Sequence, residues 1–447
     1  ASRALGAIGR AATDSLIAAC SDKNVTIRSR AVEALGCSSA ADDRVRRAVF
    51  DRAADDAPEV RAEAIRSLVR LNATDDEALA TVARANLRHA DEQVRLAVVD
   101  LLMERRPLLE RLSPDLEAIL TSQPEGGARH AAFLLGAIGP DAAPALIRAL
   151  GRDDSPIEPI AEALASIGQP IDEPLLKAVE DPSPRVRRGA VLALGRIHPL
   201  APGAVARLTK ALHDPDASVR ASALTAIGGL GRQAADALPG VRELLASDSA
   251  ETRIQAVDAL SQAAPRDARL AADLAGRIDD ADPRVQHRAI DVLRSLGPLG
   301  RPSLAGVIAK LKSPDADVRA AAAAFVGSHG PAAVEAVPAL VALLDAPEPK
   351  LQSLAAQTLG RLGPEARPAL DPLAALLSAP DAEVREAAAT AIGGLRLEPD
   401  AARPHLAKAL RDESADVRRA AARAVQRFGP RGAVFIPDLI LAAETKD

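Results

Sequence analysis

Arginine recurs at one place in this 447-residue chain, directly after a Val or its equivalent: Arg28, Arg61, Arg95, Arg187, Arg220, Arg253, Arg319, Arg385 and Arg418. A row of guanidiniums can hold polyanions, or it can be paired within the protein. Each of the nine has an Asp within six residues upstream, such as Asp181 for Arg187 and Asp381 for Arg385. Donors and acceptors arriving together favour a ladder of Asp–Arg pairs across turns, with Arg187, Arg220, Arg253, Arg319, Arg385 and Arg418 as its regular rungs. A second cationic feature is Arg419, Arg423 and Arg427, spaced by four and flanked by Arg418 and Arg431. At that spacing three like charges share one helix face and repel by a few tenths of a kcal/mol per pair, about 0.2–0.5. The cost invites an acidic protein segment; a solvated face, or contact with a further unit, is the plainer reading.

Few other residues suggest chemistry. Asp258, His287 and Asp291 fall on corresponding exposed positions of adjacent units and could make a metal or acid–base site, although a solvated patch explains them more simply. The remaining His residues are scattered, and none of the seven precedes a Glu. Cys20 and Cys37 fit no metal or redox spacing and read as packing or surface thiols. No phosphate-binding glycine loop, G-x-S-x-G or H-E-x-x-H occurs. The formal net charge of −5 supplies no bulk attraction for nucleic acid. No uniformly apolar run approaches the roughly 18 residues of a membrane helix.

The Arg row belongs to a repeat. Residues 380–395 read PDAEVREAAATAIGGL, 314–327 read PDADVRAAAAAFVG, and 215–228 read PDASVRASALTAIG. Taking the Val as anchor, Val186, Val219, Thr252, Val285, Val318, Leu351, Val384 and Val417 are each 33 residues apart. Upstream the anchors are Ile27, Val60 and Val94, then Gly127 and Pro156, thirteen units in all. Such a period denotes stacked supersecondary units. Apolar residues four, five, eight and often eleven beyond the anchor predict a helix with a wide apolar face. The position four beyond is Ala in eleven of thirteen units, which allows close approach of neighbouring backbones.

The ends of this helix are marked. Asn24, Asp91, Asp153, Ser183, Asp216, Ser249, Asp282, Asp315, Asp381 and Ser414 precede the anchor by three and suit an N-cap. Ala57, Pro124 and Glu348 are the exceptions. Pro58, Pro184, Pro283 and Pro349 suit the first helical position. Gly139-Pro140, Gly297-Pro298, Gly330-Pro331, Gly363-Pro364 and Gly429-Pro430 stop it. A shorter helix follows, as in PALIRAL at 144–150, PALVALL at 338–344 and PHLAKAL at 404–410. One such pair cannot bury both apolar faces; stacked pairs can. Without Trp or Tyr, and with five Phe, the core must consist of closely packed Ala, Leu and Val.

A helical pair with an Asp-bearing turn, V-R, and an Ala/Leu helix closed by Gly resembles the HEAT repeat. The short period and A-L-G ending are most similar to the subclass first named for phycobilisome lyases. The resemblance covers essentially the whole chain. It implies an all-α solenoid, a superhelix of about thirteen helical pairs over 1–447, and a protein-interaction scaffold or adaptor without a catalytic centre. The alternative it implies is a bilin lyase or lyase-like chaperone subunit, for which no residue here matches an active site. The paired His-Glu motifs of HEAT-like deoxyhypusine hydroxylases are missing, as is the aromatic platform of HEAT-like DNA glycosylases. The expectation is therefore no cofactor and no metal, protein partners, no nucleic acid and no membrane span, in a monomeric array or a piece of a longer chain. The cytoplasm is the default compartment.

The pattern breaks at 121–180. Units there are 29–30 residues apart, Gly126-Gly127 replaces a clean helix start, Pro159 falls inside a predicted helix, and Ala128 and Ile157 stand where Arg would. The alternatives are drift, or a hinge or partner-specific notch. Residues 1–9 read as the second half of a repeat helix, and 430–447 as the first helix of a further unit, so partial repeats are expected at both ends.

Overall fold

The computed structural model describes residues 10–38, 42–120 and 125–444, so the expectations for residues 1–9, Pro124 and the start of the helix at Gly126 lie outside the described residues or their described side chains. The chain forms two compact units, Ala1–Ala237 and Leu238–Asp447. Each is an all-α solenoid of alternating long and short helices, with no strand among the described residues.

Within the first unit, Val25–Gly36, Pro58–Arg70 and Glu92–Met103 pack in sequence, as do Glu125–Ile138, Ile157–Ile167, Pro184–Leu194 and Ala217–Leu230. Within the second, Ala250–Ala263, Pro283–Ser295, Ala316–His329, Pro349–Leu362, Ala382–Gly394 and Ala415–Gln426 do the same. Twelve of the thirteen anchors occupy the third position of their long helix. Pro156 is the exception: it is the N-cap of Ile157–Ile167, and Pro159 takes the anchor's place. That placement corrects two expectations. Asp153 does not cap the helix, and Pro159 lies in its first turn, where a missing N–H breaks no intrahelical bond. Successive helix starts here, at 125, 157 and 184, are 32 and 27 residues apart.

The caps follow side-chain chemistry. Asn24, Asp91, Asp216, Ser249, Asp282, Asp315 and Asp381 accept bonds from backbone N–H groups of the first turn. Ser183 and Ser414 hold the N-cap position without a side-chain bond. At the other end, Gly231, Gly297, Gly330, Gly363 and Gly429 have φ between 53° and 79°, a region costly for residues with a Cβ. A 3-10 turn, which the apolar periodicity does not announce, then leads into the short helix, as in Gly330–Ala336 before Val337–Leu343. The stretch Ala316–Leu343 is long and apolar enough to cross a membrane by length and composition. It is broken at Gly330 into separate helical pieces, and its Ala321, Ala322, Ala323, Phe325 and Val326 are buried within the stack.

The core is the predicted one of small side chains. The Ala four beyond the anchor is buried in each of the eleven units that carry it. The glycine of A-L-G, or of A-I-G at Ala391-Ile392-Gly393, marks a close approach to the next long helix. A Cβ on Gly195 would lie 2.5 Å from the Ala226 Cβ, and one on Gly393 would lie 2.5 Å from the Ala424 Cβ.

Candidate functional site

The Arg row is a device for joining turns. In eight of the nine, Nη1 donates to the two carbonyls six and five residues back, at 2.6–3.3 Å. Those carbonyls belong to the turn just after the preceding short helix. A cation beside a helix C-terminal end is favourable, which offsets its unfavourable place in the first turn of its own helix. Arg61 differs: Nε donates to the Asp55 carbonyl at 2.9 Å and Nη1 to the Asn86 side chain at 3.0 Å.

The carboxylate partners are not those expected from the upstream Asp residues. The Asp181 and Asp381 side chains fold onto their own turns, accepting from the backbone of Ser183 and Glu383 at 2.8 and 2.7 Å. The outer edge of the guanidinium instead reaches the next repeat. Arg28 pairs with Asp55, Arg187 with Asp214, Arg253 with Asp280 and Arg385 with Asp412, each through Nε and Nη2 and each 27 residues ahead. The closest contacts are 2.6–2.9 Å. Arg319 pairs with Glu348 at 3.0 Å. Where the row lacks Arg, Gln352 donates its side-chain nitrogen to the Ala346 carbonyl at 2.9 Å, and Gln286 does the same to Asp280.

Electrostatics follow from this geometry. Burial pushes the Asp412 and Asp280 carboxyls up, but the paired guanidinium and the N–H two residues on outweigh it and hold both below the usual carboxylate range. For Asp214 the bond to Arg187 is the largest influence, and the direction is again down. A depressed folded-state value means the unfolded chain binds protons first. The pairs therefore stabilise above about pH 4, near the ordinary Asp value, and that contribution is lost as pH falls through the folded value. Thermal melts between pH 7 and pH 3 are expected to show Tm falling below about pH 4, with a shallower decline in Asp412→Asn; parallel declines would argue against the pairing.

The other candidates have separate fates. Arg419 pairs with Asp416 on its own helix, whereas Arg423 and Arg427 are exposed and make no side-chain bond among the described residues. Asp258 is paired with Arg288, and Asp291 lies 3.8 Å from His287 and 3.4 Å from Arg294, so arginines take up these carboxylates. No group of three His, Cys, Asp or Glu among the described residues could hold a metal. Cys20 is 2% exposed, and burial pushes its thiol up to about 11, which leaves it protonated and inert at neutral pH.

The irregular region carries a feature the sequence pattern only hinted at. A cavity of about 390 Å³ opens between the helices Glu92–Met103, Glu125–Ile138 and Ile157–Ile167. Leu96, Val99, Phe133, Pro159 and Ala163 form its apolar lining, and Arg129, His130, Glu162 and Ser166 add polar groups. Phe133 is 52% exposed, while Phe325 and Phe435 are fully buried.

The family model for HEAT repeats matches residues 158–223, 205–294, 304–377 and 370–447, more than half of the chain. A comparison with curated proteins finds none that matches. Among solved structures, the chain is similar to Kap121p bound to Pho4p, with 14% identity, a TM-score of 0.62, and coverage of 98% of this chain and 56% of that one. It is also similar to the karyopherin Kap121p bound to the extreme C-terminus of the protein phosphatase Cdc14p, with 15% identity, a TM-score of 0.60, and 97% and 55% coverage. A third is Kap95p with RanGDP, at 15% identity, a TM-score of 0.60, and 97% and 69% coverage. The chain spans about half the length of Kap121p. Such identities establish likeness of fold, and the family match, together with the repeated Asp-turn, V-R and A-L-G elements, places the chain in the family of HEAT repeat proteins.

Proposed function

We propose that this chain is a non-catalytic protein-interaction scaffold in which the Arg row is structural and partner contact occurs on the exposed line of the long helices. The observation that carries this reading is the notch around Phe133. A large aromatic side chain is held half in solvent beside an apolar cavity, where burying it against a partner would be favourable. The occupant it suits is an apolar side chain of a protein segment, with Arg129 and Glu162 orienting the flanking backbone or charges. The likeness to Kap121p solved with Pho4p, and with the extreme C-terminus of Cdc14p, supports the same class of role. The 33-residue period and A-L-G ending liken the units to the lyase-type subclass, but no residue is assigned to tetrapyrrole attachment.

Affinity capture from the native cell with cross-linking mass spectrometry tests this. Cross-links are expected to concentrate on the three helices around the notch, and Phe133→Ala should abolish them with Tm essentially unchanged. Cross-links that persist in Phe133→Ala would remove the notch from the function.

A further inference from the structure

Outside glycine, only Asn72 and Arg396 among the described residues have left-handed φ, both at 48°. Arg396 lies twelve beyond its anchor, the position held by Gly231, Gly297, Gly330, Gly363 and Gly429 in other repeats. Asn tolerates this conformation through its short polar side chain; Arg has no such relief, and glycine would turn the chain at less steric cost. The Arg396 side chain makes no hydrogen bond or ion pair among the described residues, so the fold gains no polar contact from it. Backbone strain of this kind points to a use outside the fold.

The surroundings supply one. Arg396, Arg427 and Arg431 line a cavity of about 560 Å³. Arg431 is paired with Glu398, while Arg396 and Arg427 are exposed and unpaired among the described residues. The backbone at Arg396 is steadied by Arg367, which donates to its carbonyl at 3.4 Å. Part of the floor is bare backbone: a Cβ on Gly394 would meet the Gly360 carbonyl oxygen at 2.4 Å. Leu397 and Phe428 add an apolar wall. Two free guanidiniums suit carboxylates, which they can bind bidentately, and the wall suits an adjacent apolar side chain.

We infer that this cavity binds an acidic peptide segment of a protein partner, with its carboxylates on Arg396 and Arg427 and an apolar side chain against Leu397 and Phe428. The inference rests on the scaffold reading, yet the two fail separately, because the following titration needs no native partner. A short fluorescein-labelled peptide of alternating aspartate and leucine is titrated with the full chain and followed by anisotropy. Saturable binding is expected, weakening as salt rises, and falling about tenfold or more in both Arg396→Gly and Arg427→Gln. Arg396→Gly is also expected to raise Tm, which separates lost binding from lost folding. No saturable binding by the wild-type chain, or equal binding by Arg396→Gly, overturns the site. Equal affinity for a single-stranded oligonucleotide overturns its assignment to a peptide.

Discussion

Arg385→Ala is expected to destabilise its unit by about 3 kcal/mol, the lower end of the range for removing one partner of a buried ion pair. Arg385 is 6% exposed, and its guanidinium meets Asp412 through two bonds and the carbonyls of Ala379 and Pro380 through two more. Alanine would leave the Asp412 carboxylate without its main counter-charge and release the turn behind the helix. Arg385→Gln should lose less, because Gln352 shows that an amide can still hold the turn carbonyl. Combining Arg385→Gln with Asp412→Asn should come within about 1 kcal/mol of the wild type, since no buried charge is then left unpaired. Urea unfolding of the wild type, Arg385→Gln, Asp412→Asn and the double variant gives the cycle, with Arg385→Ala measured beside it. An Arg385→Ala protein that unfolds like the wild type would show that the row is not structural.

That cycle also shows what could be read in the chain and what could not. Helix positions were legible because period, caps and glycine stops agree in most repeats outside 121–180. For four of the nine arginines the carboxylate partner was also written in the sequence, but at long range. The residue 27 beyond Arg28, Arg187, Arg253 and Arg385 is Asp, whereas 27 beyond Gln286 and Gln352 stand Ser313 and Ala379. The nearer Asp residues misled because a short side chain bonds its own turn, while the long Arg stem crosses to the next repeat. Pro156 was misplaced as an anchor because a 32-residue and a 27-residue step average to an apparently milder irregularity. Arg396 belongs to none of the motifs read from the sequence. Its left-handed φ is foreshadowed only by the glycines at the same place in other repeats, and the arginines that share its cavity, Arg427 and Arg431, lie more than 30 residues away.

Gly393→Ala is expected to destabilise by about 1–2 kcal/mol, although alanine is the better helix former. The intrinsic preference favours alanine by about 1 kcal/mol. Against it, the added methyl would sit 2.5 Å from the Ala424 Cβ and 2.8 Å from its Cα, so the helices Ala382–Gly394 and Ala415–Gln426 must separate. Overpacking of this kind costs about 1–3 kcal/mol, and here the obstacle includes backbone that no rotamer change can move. Gly229 provides the opposite case: it lies within the helix Ala217–Leu230, is exposed, and would place a Cβ with nothing within 4 Å. Gly229→Ala should therefore stabilise by up to about 1 kcal/mol. Ala424→Gly added to Gly393→Ala moves the small residue to the other side of the same contact and should recover part of the packing loss, a coupling that additive effects would not produce. If Gly393→Ala raises the melting temperature as Gly229→Ala is expected to, helix propensity governs both sites, and Gly393 is not the spacer that sets how closely these helices stack.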